Sequence, residues 1–290
     1  MKEKVKKTAK RRSQWGEFVY RLKKNKGATI SVFVLAIIII IAIFAPYIAP
    51  YSYDAQDYSA SFAKPSAQHL LGCDRLGRDI LSRLIYGSRQ SLQLGVMATF
   101  IAAAIGMILG AIAGYYGGIV DSLIMRFFDI YQSIPMFLLC VTLASIMGPS
   151  LKNAIVAIGV ATIPGPARLM RASILTIRTE EYIEAAKMSN LSNSRIIATH
   201  IIPNAIAPVL VSITMAVGMN ILSGSMLSFI GLGAQPPIPE WGTMVSDARS
   251  MMRDHMMLSV YPGICIMIAV LACNLLGDGI RDAFDPRLKN

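Results

Sequence analysis

Apolar residues gather into long unbroken runs in this chain, rather than alternating or recurring at helical spacing. The first run, residues 28–45 (ATISVFVLAIIIIIAIFA), has 18 residues and no charge. At about 1.5 Å of rise per residue it nearly crosses the ~30 Å hydrocarbon core of a bilayer. Five further runs predict spans near residues 92–115, 123–147, 154–174, 205–230 and 257–276. The third begins amid Arg126 and Asp129, which softens its boundary. The pattern predicts an all-α polytopic membrane protein with six transmembrane helices. It divides into a cytoplasmic basic tail (1–27), a first span (28–50), an extracytoplasmic segment (51–91), a five-helix core (92–280) and a cytoplasmic C-terminal tail (281–290).

Helix breakers interrupt the runs. Pro135 lies in the third, Pro164-Gly165-Pro166 in the fourth, and Pro208 and Pro262-Gly263 near the starts of the last two. Broken spans are tolerated where protein or a watery cavity satisfies the freed backbone. The repeat Gly106-x-x-x-Gly110-x-x-x-Gly114 predicts close helix contact. One polar stretch interrupts the core: EYIEAAKMSNLSNSRIIATHIIPN, residues 181–204, within a predicted loop 178–204. Residues 181–188 are good helix formers, and Asn190 tolerates the left-handed turn that ends a helix. Asn193 or Ser194 can cap a second helix, which is expected to lie parallel to the membrane surface. Before the first span, Trp15, Phe18, Val19 and Leu22 form an apolar stripe among Arg21, Lys23, Lys24 and Lys26. That describes a helix lying on an anionic membrane surface.

Composition sharpens the class. The chain is 54% hydrophobic and 16% charged, against about 25% charge in soluble domains. Its net charge of +11 does not point to nucleic acid, because 11 of its 28 Lys and Arg lie in residues 1–27. Alternating the sides of the spans puts 20 of the 28 on one face and 8 on the other. That bias predicts both termini in the cytoplasm. A cleaved signal peptide is the alternative reading of the N-terminus, but the apolar run exceeds a usual signal core. Cys140, Cys265 and Cys273 fall in apolar runs as packing residues, and Cys73 reads as an unpaired thiol in an external loop.

The middles of the spans contain no carboxylate, His or Lys, so the chain offers no site for a driving ion. It has no G-x-x-x-x-G-K-[ST] phosphate loop. His69, His200 and His255 lie far apart and form no H-E-x-x-H motif. The residues therefore read as a pore whose energy comes from another subunit, with no catalytic group and no metal site. In the polar stretch, Ala185 and Ala186 would let a second protein approach closely, and Glu184 could pair with a partner's Arg.

The run of EAA, a turn and I-x-x-P resembles the EAA loop of inner-membrane subunits of binding-protein-dependent ABC importers. HLLGCDRLGRDILSRLIYGSRQSL (69–92), GYYGGIVDSLIMRFFDI (114–130), LSFIGLGAQPPIPEWGTM (227–244) and NLLGDGIRDAFDPRL (274–288) resemble the "C" type permease of dipeptide, oligopeptide and nickel importers. The resemblance implies the type I transmembrane-domain fold of ABC importers with a cytoplasmic EAA coupling loop. It implies a heterodimer with a second homologous permease, two cytoplasmic ABC ATPases that bind ATP and Mg, and an extracytoplasmic solute-binding protein. The setting would be the bacterial cytoplasmic membrane. The implied coupling positions are Glu184, Ala185, Ala186, Asn190, Ile201 and Pro203. Asp74, Arg78 and Asp79 match an external motif in which Cys73 replaces a Thr, and Asn190 stands where Gly is usual. Pro236, Pro237 and Trp241 form a stiff external loop that could receive the binding protein, or merely pack over the pore mouth. The expected cargo is a di- or oligopeptide, with a nickel chelate second. An ion channel or ion-coupled carrier, and an anchoring or regulatory subunit without a pore, are the readings from other classes.

Overall fold

The computed structural model describes residues 14–189 and 191–284. The first 13 residues, Asn190, the tail 285–290, and the side chains of Gln14, Trp15, Glu17 and Phe18 lie outside the described residues. The chain is a bundle of helices with no named strand among the described residues. In order these are α1 (Gln14–Lys24), α2 (Lys26–Ile43), α3 (Ala45–Ile48), α4 (Ile80–Tyr116), α5 (Gly118–Gln132), α6 (Met136–Met147) and α7 (Leu151–Ala161). They continue with α8 (Pro164–Ile177), α9 (Glu181–Met188), α10 (Asn193–Ile196), α11 (Ile202–Phe229), α12 (Trp241–Ala248) and α13 (Met257–Phe284). Five described helical stretches are long and apolar enough to cross a membrane, and six if the bent pair α5 and α6 counts as one span. Phe33, Phe100 and Ile146 are among many large apolar side chains left exposed, as expected of a surface solvated by lipid rather than water.

The apolar runs set the spans, but caps and prolines set their ends. Asp79 caps α4, accepting the Ser82 amide at 2.7 Å. The helix therefore starts at Ile80, well before the expected residue 92, and its 37 residues reach about 55 Å. Residues 80–91, expected in the extracytoplasmic segment, are the first turns of this helix. Pro135 breaks the third span so sharply that α5 and α6 meet at 84°, because proline lacks the amide and clashes with the preceding turn. The Pro164 break is milder: α7 ends at Ala161, α8 opens on Pro164, and together they form one span.

The second part of the polar stretch departs from expectation. Residues 193–229 run as one helical stretch, so α10 continues into the fifth span rather than forming a separate helix beside it. Ser192 holds the N-cap position, and no side chain caps it. Between α10 and α11 residues 197–201 widen into a π-helical turn. Pro203, near the start of α11, cannot bond back to Thr199, and the wider turn accommodates that loss.

Three apolar clusters hold the bundle. One joins α4, α6, α7 and α11 around Leu94, Ile158 and Leu227. One joins α4, α11, α12 and α13 around Ile221 and Trp241. One at the opposite end joins α4 and α8 to α9, α10 and α11 around Met170, Ile174, Ile183 and Ile196. Gly106, Gly110 and Gly114 of α4 face the backbone and side chains of α8 and the turn before it, which is the close contact their spacing predicts. The Asn25 amide donates to Asp282 at 3.0 Å, so the start of α2 and the end of α13 lie at the same end of the bundle.

Candidate functional site

One end of the bundle presents α9. Its eight residues follow α8 after a three-residue turn. Ile183 and Ala186 are buried in the cluster at that end, while Glu181, Tyr182, Glu184, Ala185 and Lys187 are exposed. Neighbouring residues on a helix point about 100° apart, so the two alanines cannot share a face. Ala185 is presented outward with Glu184, and Ala186 packs inward. Ile201 is fully buried in the same cluster; it supports the helix from behind. Pro203 is exposed at the start of α11.

Sequence reasoning missed the group that steadies α9. Tyr115, at the end of α4, donates its hydroxyl hydrogen to Asn193 at 2.8 Å. Its ring lies 5.9 Å from the Lys187 ammonium, within cation–π range. One tyrosine thus touches both helical parts of the polar stretch. In the sequence, only its position at the end of a span hints at an interfacial role. Two ion pairs brace the stalk beneath. Arg171 of α8 forks onto Asp121 of α5 through two bonds of 2.5 Å. Arg168 meets Asp129 at 2.6 Å and also touches Gln132. Asp129 is one of the two charges that soften the start of the third span.

The external motif builds a turn. Asp74 accepts the amides of Leu76 and Arg78 at 2.8 and 3.0 Å and the Arg78 guanidinium at 2.7 Å. Gly77 completes that turn at φ +71, with the Asp57 carbonyl where a Cβ would sit; only glycine fits there. Asp79 caps α4 and also meets His69 at 3.0 Å. Arg83, which the motif reading had left out, reaches toward Asp74 at 3.6 Å and Asp247 at 3.8 Å. It lines a cavity of about 320 Å³ together with Arg78, Pro236 and Asp247. Asp74 and Asp79 therefore have both carboxylate oxygens engaged within the chain, and Arg78 engages its Nε. Cys73 is buried, and burial beside Asp79 and Asp74 pushes its thiol up to about 11, so it stays protonated and unreactive at neutral pH.

Trp241 is not the exposed anchor that its place in the loop suggested. It is only 3% exposed, and its indole N–H donates to the Leu84 carbonyl at 3.1 Å. Glu240 caps α12 through the Gly242 and Thr243 amides and accepts from Ser91 at 2.9 Å. The loop tip, Pro236 and Pro237, stays exposed. Trp241 thus fastens α12 to α4, and Trp241→Phe is expected to lower stability by about 1–2 kcal/mol through the lost buried hydrogen bond. Thermal unfolding in detergent, read beside binding-protein affinity, checks this. A changed affinity at unchanged stability would return Trp241 to a docking role.

A short exposed helix carried on interrupted spans is the layout of a membrane transport subunit. The sequence profile of the family described as "binding-protein-dependent transport system inner membrane component" matches residues 106–290. That of the "N-terminal TM domain of oligopeptide transport permease C" matches residues 13–65. The chain belongs to the family of inner-membrane components of binding-protein-dependent transport systems. It is 45% identical to a dipeptide transport system permease protein of Alkalihalophilus pseudofirmus, over 96% of this chain and 91% of that one. It is 43% identical to a dipeptide transport system permease protein of Haemophilus influenzae, covering 94% and 95%. It is also 43% identical to a glutathione transport system permease protein of Escherichia coli, covering 96% and 92%. Its fold resembles a chain of the MetNI methionine ABC transporter in an inward-facing conformation, with a TM-score of 0.57 and 21% identity over 71% of this chain and 98% of that one. Membership makes it a multi-pass membrane subunit that works with an ATPase and a binding protein.

Proposed function

We propose that this chain forms half of the translocation pathway of an ATP-driven importer for di- and oligopeptides. The second half is a homologous permease. Two cytoplasmic ATPases bind ATP and its magnesium and grip α9, and a solute-binding protein delivers cargo outside. The observation that carries this reading is α9 itself. It is anchored by Ile183 and Ala186, yet it turns Glu184 and Ala185 outward at the end of the bundle. Such a helix can pass force between rigid bodies without doing chemistry.

The cytoplasmic placement of both termini rests on the excess of Lys and Arg there. The Asn25–Asp282 bond at the shared end of α2 and α13 supports it. Peptide cargo rests on relatives named for dipeptide and glutathione transport at nearly equal identity. These cargoes share amide bonds, an amine and carboxylates.

The test is reconstitution of this chain with its partner permease, two ATPases and binding protein in proteoliposomes. ATP-dependent accumulation of a labelled dipeptide is expected. Accumulation of a nickel chelate alone, with peptides ignored, would overturn the cargo. Uptake without ATP would overturn the importer class.

A further inference from the structure

The two interrupted spans break beside one another. The α5–α6 break and the α7–α8 break both line a half-open cavity of about 450 Å³, to which α4 and α11 also contribute walls. Thr99 marks its depth, at the middle of α4. Small-molecule sites occupy about 300–1,000 Å³, so the space suits a short peptide. Its polar lining is Thr99, Tyr131, Gln132, Thr162, Ser212 and Asn220, with no charged residue. The nearby charges Asp129 and Arg168 are paired with each other at 2.6 Å.

Three observations give this lining a purpose. Irregular backbone at membrane depth is tolerated only where protein or water satisfies it, and here two breaks open onto one cavity. Polar side chains at such depth face a bundle interior or a watery path, not lipid. The Tyr131 hydroxyl is buried and has no hydrogen-bond partner, although it belongs to a residue of the lining. An orphaned hydroxyl is costly unless a partner arrives. By contrast the Asn220 amide is already oriented, donating to Thr99 at 2.9 Å.

We infer that this cavity is a transit site for the peptide backbone, where Tyr131, Ser212 and neighbouring hydroxyls and carboxamides exchange hydrogen bonds with amide groups. The inference rests on the peptide-importer reading above. Hydroxyls and carboxamides can both donate and accept, so they complement an N–H or a C=O in either direction along an extended chain. A charged lining would hold one peptide terminus and delay release; an uncharged one holds cargo weakly and is indifferent to side chains.

The test is a cycle on the reconstituted complex with its binding protein. Initial uptake of a dipeptide is compared with uptake of its ester analogue, in which the amide N–H becomes oxygen. The comparison is made in the natural chain, in Tyr131→Phe and in Ser212→Ala. The binding protein is the same in every arm, so its own preference cancels from the cycle. Tyr131→Phe is expected to reduce dipeptide uptake about five-fold, the equivalent of one neutral hydrogen bond, and to narrow the amide-to-ester ratio. A merely structural role would lower both uptakes alike and leave that ratio fixed. An unchanged ratio in both variants overturns the transit site while leaving the importer intact. Failure of the natural complex to import any peptide overturns the importer reading and the site together.

Discussion

Glu184→Lys is expected to lower ATP-dependent uptake by more than about ten-fold while the chain still inserts and pairs with the proposed partner permease. Glu184 lies in the first turn of α9, exposed, and forms no ion pair among the described residues. Reversing its charge costs the helix little. A carboxylate near a helix N-terminus contributes roughly 0.3–1 kcal/mol through the macrodipole, and Ile183 and Ala186 keep the helix seated. The effect falls on the partner. Like charges forced together across an interface cost on the order of several kcal/mol, and each 1.4 kcal/mol is about ten-fold. ATP hydrolysis then continues without driving transport. Glu184→Gln, which removes attraction without adding repulsion, should fall between. Uptake in proteoliposomes, measured beside ATP hydrolysis and co-purification yield, checks the series. Full uptake by Glu184→Lys would remove α9 from the coupling path.

Much of this architecture is legible in the linear sequence, because a membrane span is a statement about composition along one segment. The runs around Leu94, Ile158 and Ile221 mark helices without any tertiary knowledge. Helix ends were harder to place. The start of α4 depends on Asp79 capping Ser82, and the same aspartate had been read only as part of an external motif. The Ala185–Ala186 pair shows a different loss. Its motif was recognised as a unit, and the 100° turn between its members, which sends one inward, was overlooked. Tyr115–Asn193 and Arg171–Asp121 carry no local signal, since their partners lie 78 and 50 residues apart. Trp241 has the composition of an interfacial anchor, but burial against Leu84 is decided by how α12 folds back on α4. What the sequence leaves out is therefore mostly pairing across the bundle, and the transit cavity is made of such pairings.

Gly110→Val should be the most damaging single change within the spans. A Cβ at Gly110 would run into the Ala167 carbonyl oxygen and lie 3.0 Å from the Ala167 Cα. That obstacle is backbone, so no rotamer change can relieve it, and α4 and α8 must separate. Overpacking costs about 1–3 kcal/mol, occasionally more; a backbone obstacle puts this substitution at or above the upper end. Lipid is as apolar as the side chains, so the contact itself, rather than exclusion of water, holds these helices together. The displacement also has somewhere to go. Only three residues separate α8 from α9, so an outward shift of α8 moves α9 away from Tyr115. Gly110→Val is therefore expected to lose about 3 kcal/mol of stability in detergent and to transport poorly even where it folds. Gly263 of α13 has no atom within 4 Å of its would-be Cβ. Gly263→Ala should be neutral, or more stable by about 0.5–1 kcal/mol through helix propensity. If the two variants unfold at the same temperature, the α4–α8 contact does not hold the bundle, and motion at α9 must be carried by the Arg171–Asp121 and Arg168–Asp129 pairs instead.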